Sequence, residues 1–168
     1  MKIVLIAAGI VCAMCVAAAA ITYREIRSEQ DGVDRNWSAL EKQLERRTAL
    51  VSELAKVTRP EIGDNQEVLM ALVAMNQAAA RQQKMDASAR LAQAFDRLRD
   101  TAQKHSRLET DPQLAALIAQ WDDLKTSLAT AARDYNNAAQ DYNTGIQLFP
   151  KNVIAGMFRI PAAPYFHL

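Results

Sequence analysis

Outside one short segment the chain has no cysteine. Its two, Cys12 and Cys15, both sit in an apolar stretch near the N-terminus. The remaining residues therefore hold no thiol for a disulfide framework or a thiolate metal site. The pair has Cys-x-x-Cys spacing, but a redox thiolate wants an electropositive, accessible helix start, and these two are surrounded by Ile, Val and Ala. Backbone breakers are scarce as well: there are five Gly and five Pro, and Pro150, Pro161 and Pro164 all fall near the C-terminus. A chain of strands and tight turns would need more punctuation. Charge of one sign is lacking, since 20 Lys and Arg face 19 Asp and Glu for a net charge of +1. That denies the basic stripe a nucleic acid would require.

The groups that do chemistry are equally thin. No Gly-rich phosphate loop occurs, and the two histidines are His105 and His167. Neither belongs to the Glu-x-x-His pairs by which helical bundles hold metal. His105 and Glu109 stand one helical turn apart and read as a solvated pair. Asp122 and Asp123 are adjacent, so they point in different directions and make a poor acid–base dyad. With no nucleophile–base–orienter set, the expectation is a protein that is not an enzyme, with no cofactor and no metal.

What the chain does have is helix-forming sequence. "MKIVLIAAGIVCAMCVAAAAITYREIR" carries twenty uncharged residues from Ile3 to Thr22, and a helix of that length reaches about 30 Å, the thickness of a bilayer core. Tyr23 and Arg24 suit the interface beyond it. Residues 1–27 are thus expected to form a single-pass membrane anchor. Ala18 and Ala20 also offer the small residues of a cleaved leader. Lys2 and the basic residues Arg24, Arg27 and Arg35 argue for opposite orientations, so the side of the membrane stays open.

Residues 28–149 show one pattern, amphipathic helix in four blocks at about 28–58, 64–83, 87–106 and 112–149. The first block steps through Val33, Trp37, Leu40, Leu44, Arg47, Val51, Leu54 and Thr58 by alternating fours and threes, a heptad seam. It should stop before Pro60. Asp64, Asp86 and Asp111 read as caps of the next three helices. Leu69, Leu72, Val73 and Met75 mark the apolar face of the second. The fourth helix steps through Leu117, Trp121, Leu124, Leu128, Ala131, Tyr135, Ala138, Tyr142, Gly145 and Phe149. Its two Asp-Tyr-Asn units, at Tyr135-Asn136 and Tyr142-Asn143, are one heptad apart and put both rings on the seam. Buried Tyr hydroxyls want partners, and Asn36, Gln43 and Arg47 of the first block are the candidates. Four such helices with short connections predict an all-α fold, an up-down antiparallel four-helix bundle following a transmembrane helix. Residues 150–168 show no period, yet they are too apolar for a disordered tail. They should pack on the bundle base or in the membrane interface.

At "W…LEKQLERRTALVSELAKV", "RDYNNAAQDYNTGIQLFPKNVIAGMF" and the closing "PYF" the sequence resembles the LemA family. That resemblance runs from the anchor to the C-terminus. It implies an N-terminal membrane helix, a helical bundle, a place at the bacterial inner membrane and no assigned enzymatic activity or catalytic motif. Ser52 stands where the family commonly carries a proline.

The candidate interaction or structural residues are Trp37, Arg46, Arg47, Tyr135, Asn136, Tyr142, Asn143, Phe149, Pro150 and Phe158. Arg47, a cation on an apolar seam, is expected to snorkel or to pair with an aspartate of the fourth helix such as Asp134 or Asp141. The function these features point to is a membrane-tethered adaptor or scaffold with a protein partner, homo-oligomerisation left open. A ligand- or lipid-sensing domain is the alternative, and a hydrolase comes last.

Overall fold

The computed structural model describes residues 2–167; Met1 and Leu168, in the expected anchor and tail, lie outside them. All regular structure among the described residues is helical: α1 (Lys2–Ile62), α2 (Gln66–Gln77), α3 (Arg81–Ala102), α4 (Ser106–Glu109), α5 (Pro112–Gly145) and α6 (Lys151–Phe158). Anchor and stalk are one element. α1 runs for 61 residues, about 90 Å, because neither Gly9 nor Gly32 is enough to break a helix otherwise rich in Ala, Leu, Glu and Arg.

Its end differs from expectation. Pro60 lies inside the last turn with only Glu61 and Ile62 after it, so its missing N–H removes one bond, that to the Lys56 carbonyl, at the end of the helix. Gly63, at φ +81°, then closes the helix from the left-handed region. Its N–H reaches Arg59 O at 2.8 Å, and the Arg59 guanidinium meets Asp64 at 2.9 Å. Asp64 is thus an ion-pair partner, and the cap of α2 is Asn65, whose Oδ1 accepts from Glu67 N and Val68 N. Val68 and Ala71 are buried and Leu72 and Met75 pack against the same core, as expected of the last two, whereas Leu69 and Val73 are exposed with Met70, which corrects that part of the expected apolar face.

α3 begins ahead of Asp86. Gln83 Oε1 accepts from the backbone N–H groups of Ala79 and Ala80, so a side chain in the first turn holds the start although Ala80 has no side-chain acceptor to cap it. The third helix ends at Ala102, and a separate turn of helix, α4, follows with Leu108 buried. At the head of α5 the expected cap is found: Asp111 Oδ1 accepts from Gln113 N at 2.7 Å and Leu114 N at 3.0 Å.

Both seams are inside. Val33, Trp37, Leu40, Leu44, Val51, Leu54 and Thr58 of α1 are buried, as are Leu117, Trp121, Leu124, Leu128, Tyr135 and Tyr142 of α5. Phe149, the next heptad step, is 83% exposed, because α5 stops at Gly145 and the register is lost in the turn that follows.

The chain divides into two compact units, and α1 and α5 each contribute to both. One unit spans Trp37–Asp134 with Phe166. Its core draws on α1, α2, α3, α4 and α5 through residues such as Leu54, Val68, Phe95, Leu108 and Trp121. At its centre the Phe95 and Trp121 rings stack at 3.7 Å, 8° from parallel. The other unit joins α1 up to Asn36 with Tyr135–Tyr165. Here the expected irregular tail has two parts: the helix α6, and an extended strap from Ile160 onward. Arg159, at φ +51°, ends α6; Ile160 N reaches back to Ala155 O at 2.9 Å and Arg159 N to Gly156 O at 3.3 Å. That six-to-one plus five-to-two pattern is a Schellman stop, and it turns the chain sharply into the strap.

Candidate functional site

The Asp-Tyr-Asn repeat builds the most specific polar arrangement in the molecule. Two heptad positions of α5 aim Tyr135 and Tyr142 to the same side, and Asn143 follows immediately. Their partners are the backbone of the strap. Tyr135 Oη donates to Pro164 O at 2.6 Å and Tyr142 Oη to Pro161 O at 3.0 Å. Between them Asn143 makes two bonds to one residue: Nδ2 donates to Ala163 O at 2.9 Å, and Oδ1 accepts from Ala163 N at 2.7 Å. This corrects the expectation that the hydroxyls would bond Asn36, Gln43 or Arg47.

The residue types follow from what the strap lacks. Pro161 and Pro164 have no N–H, so this stretch of backbone presents more acceptors than donors. A Tyr hydroxyl and an Asn amide supply donors, and the amide, with its NH2 and carbonyl side by side, serves the C=O and the N–H of Ala163 together. Phe166, the last aromatic of "PYF", is buried, whereas Tyr165 is 42% exposed. Asn136 is half-buried and is also engaged in an interaction.

Electrostatics at the site favour the neutral phenol. Burial pushes the pKa of Tyr142 above its ordinary value; Arg27 pulls it back, while Asp34 and Glu29 add to the rise. Gly145, one turn on, allows close approach to α1: a Cβ there would sit 3.1 Å from Glu29 Oε2. Lys151 of α6 bonds Glu29 Oε1 and lies 3.9 Å from Glu25. The Phe149–Pro150 peptide is cis, and it connects the turn after α5 to α6. Phe158 packs its ring 5.0 Å from Tyr23 of α1.

The remaining candidates belong to the other unit. Trp37 has the Arg81 guanidinium 5.4 Å from its ring centre. Arg47 lies over the Trp121 ring at 4.4 Å, a cation–π contact in place of the expected pairing with an aspartate of α5. Burial lowers its pKa from the ordinary value and Asp96 opposes the fall, but a guanidinium stays charged regardless. Trp121 Nε1 is buried without a hydrogen-bond acceptor. Arg46 is exposed and lines a groove of about 460 Å³ with Leu50, Glu53, Gln120, Asp123 and Leu124. Lys84 and Glu41 form an ion pair alongside. Among the described residues no three His, Cys, Asp or Glu side chains come together as metal ligands.

Sequence reasoning missed the carbonyls of Pro161, Ala163 and Pro164, together with Tyr23 and Lys151. The one signal for the strap was its proline spacing, "IPAAPYF", which removes donors but names no partner. No curated protein matches the chain. One family model does, over residues 36–168, a span that begins beyond the apolar segment and takes in the whole repeat and strap. The chain belongs to the LemA family.

Proposed function

We propose that this chain is a non-enzymatic adaptor or scaffold, tethered by α1 to the bacterial inner membrane as a single-pass protein. In this reading α1, α2, α3 and α5 form an up-down antiparallel bundle. Two features support the tether: α1 is long and apolar enough to cross a bilayer, and Ile10, Val11, Met14, Val16 and Ile21 on it are exposed. The observation that carries the adaptor reading is on α2. Leu69, Met70 and Val73 stand exposed side by side, an apolar stripe of the kind partner proteins cover. The repeat, by contrast, gives its hydroxyls and one amide to the chain's own backbone, which favours a packing role for it over a reactive one.

A second reading, a ligand- or lipid-sensing domain, draws on the Arg46 groove, whose mixed apolar and charged lining suits a small amphiphile. In-cell photocrosslinking distinguishes the two. A photoreactive residue at position 70 should give a discrete protein adduct that disappears when Leu69 and Val73 are both Glu, while one at position 120 gives none. Adducts at 120 and none at 70 would replace the adaptor reading with the sensor.

A further inference from the structure

The two faces of α6 have different surroundings. Ile154 and Ala155 are buried, and Lys151 is held by Glu29 and Glu25 of α1. On the other face Val153 and Met157 stand one turn apart, 53% and 70% exposed, and Phe158 at the helix end is exposed too. Leu148 and Phe149, in the turn that precedes α6, are also exposed, so this end of the unit leaves apolar side chains in solvent.

Three observations name what covers it. Phe158 at the end of α6 touches Tyr23, and Tyr23 is the first residue after the uncharged run of α1. The exposed apolar surface of α1 stops at Ile21, so α6 takes up where that surface ends. Charge agrees: Arg24 and Arg27 of α1 and Arg159 after α6 are all exposed, placing cations where lipid phosphates lie, while Lys151 offsets the nearby Glu25 and Glu29. Tyr and Arg are the residue types found at that depth.

We propose that α6 is a second membrane contact, its Val153–Met157 face, with Phe149 in the turn before it, lying in the headgroup and upper acyl region of the leaflet that α1 enters. The proposal rests on the reading of α1 as a membrane span. A helix lies in the interface when its apolar face is free for lipid; α6 leaves Val153 and Met157 free while Ile154, Ala155 and Lys151 hold it to the protein. α1 then fixes the anchor, and α6 fixes how the domain is rotated above the bilayer.

The test uses the full chain with Cys12→Ala and Cys15→Ala, reconstituted in nanodiscs of phosphatidylcholine and phosphatidylglycerol. Single cysteines carrying an environment-sensitive fluorophore are placed by Val153→Cys, Met157→Cys, Val16→Cys and Gln140→Cys. Phosphatidylcholine brominated high on the acyl chain is the lipid quencher, and iodide is the aqueous one. Labels at 153 and 157 should lose most of their emission to bromolipid and little to iodide, and the label at 140 should do the reverse. Iodide quenching at 153 and 157, with bromolipid quenching kept at 16, overturns the α6 contact and leaves the anchor standing. Protection from both quenchers at 153 and 157 also overturns it, since a second copy or another protein then covers the face. Loss of bromolipid quenching at 16 sinks the anchor reading, while 153 and 157 still report directly on α6. Val153→Glu in the Met157→Cys background, a change at an exposed site, should lift lipid quenching at 157 with helicity unchanged; persistence of the quenching overturns the proposal.

Discussion

Around Trp121 the chain is held by rings and aliphatic side chains that need no partner beyond contact. Around Tyr142 it is held by two hydroxyls and an amide, each bonded to a carbonyl of the strap. The first arrangement tolerates an orphan: Trp121 Nε1 is buried without an acceptor while its ring stacks on Phe95. The second has little such slack, because each donor removed leaves a main-chain oxygen without its partner. The difference teaches how α5 does two jobs with one rhythm. The same heptad position carries Trp121 where burial suffices, and carries Tyr135 and Tyr142 where an irregular segment must be docked.

Substitutions can break that contrast in order of size. Trp121→Ala should be the most damaging, lowering unfolding free energy by about 3–5 kcal/mol through lost transfer energy and a residual cavity, read by denaturant titration. Trp121→Phe should cost much less, since it keeps a ring on Phe95 and removes the orphan N–H. Asn143→Ala comes next at about 2–3 kcal/mol, because it strands both the N–H and the C=O of Ala163. Hydrogen exchange would show the Ala163 amide losing protection while amides in the Trp121 unit keep theirs; equal loss in both would mean the two halves do not differ as described.

Tyr142→Phe should be milder, about 1 kcal/mol near neutrality, and it carries a pH signature. Burial raises the phenol's pKa in the folded state, with Arg27 opposing and Asp34 and Glu29 assisting. The folded chain therefore holds this proton more tightly than the unfolded chain, whose phenol titrates near about 10. The contribution is complete below that value and is lost as pH climbs through the higher folded one. Melting temperature against pH should fall more steeply above that point in the parent than in Tyr142→Phe. The smallest effect is at the end of α6: Arg159→Gly should stabilise by about 0.5–1 kcal/mol, since glycine occupies the left-handed position without a Cβ clash.

The seams were legible because burial on a helix leaves a period: the large apolar steps from Val33 to Leu54 and from Leu117 to Tyr142 are inside, while Ala131 and Ala138 are half-buried beside the buried Ala132 and Ala139. Asp111 was legible because a cap and a following proline form a local signature. The start of α2 was misplaced by one residue, Asp64 for Asn65, since both are good caps and only the ion pair to Arg59 decides between them. Leu69 and Val73 were misplaced for another reason: the helix has apolar residues on more than one side, and burial selects Val68, Ala71, Leu72 and Met75. α6 was hidden by the prolines on either side of it. The docking of the strap was invisible for a deeper reason: the acceptors belong to the main chain, and a carbonyl has no letter in the sequence.

Because α5 grips peptide groups and ignores what hangs from them, the strap is read by its path. Ala162, whose side chain contributes to none of these bonds, should accept exchange for Ser or Glu without consequence. Adding or deleting a single residue between Ile146 and Ile160 is another matter. It would slide every carbonyl past its donor at once, so these bonds depend on the number of residues in the connection and not on the side chain at 162.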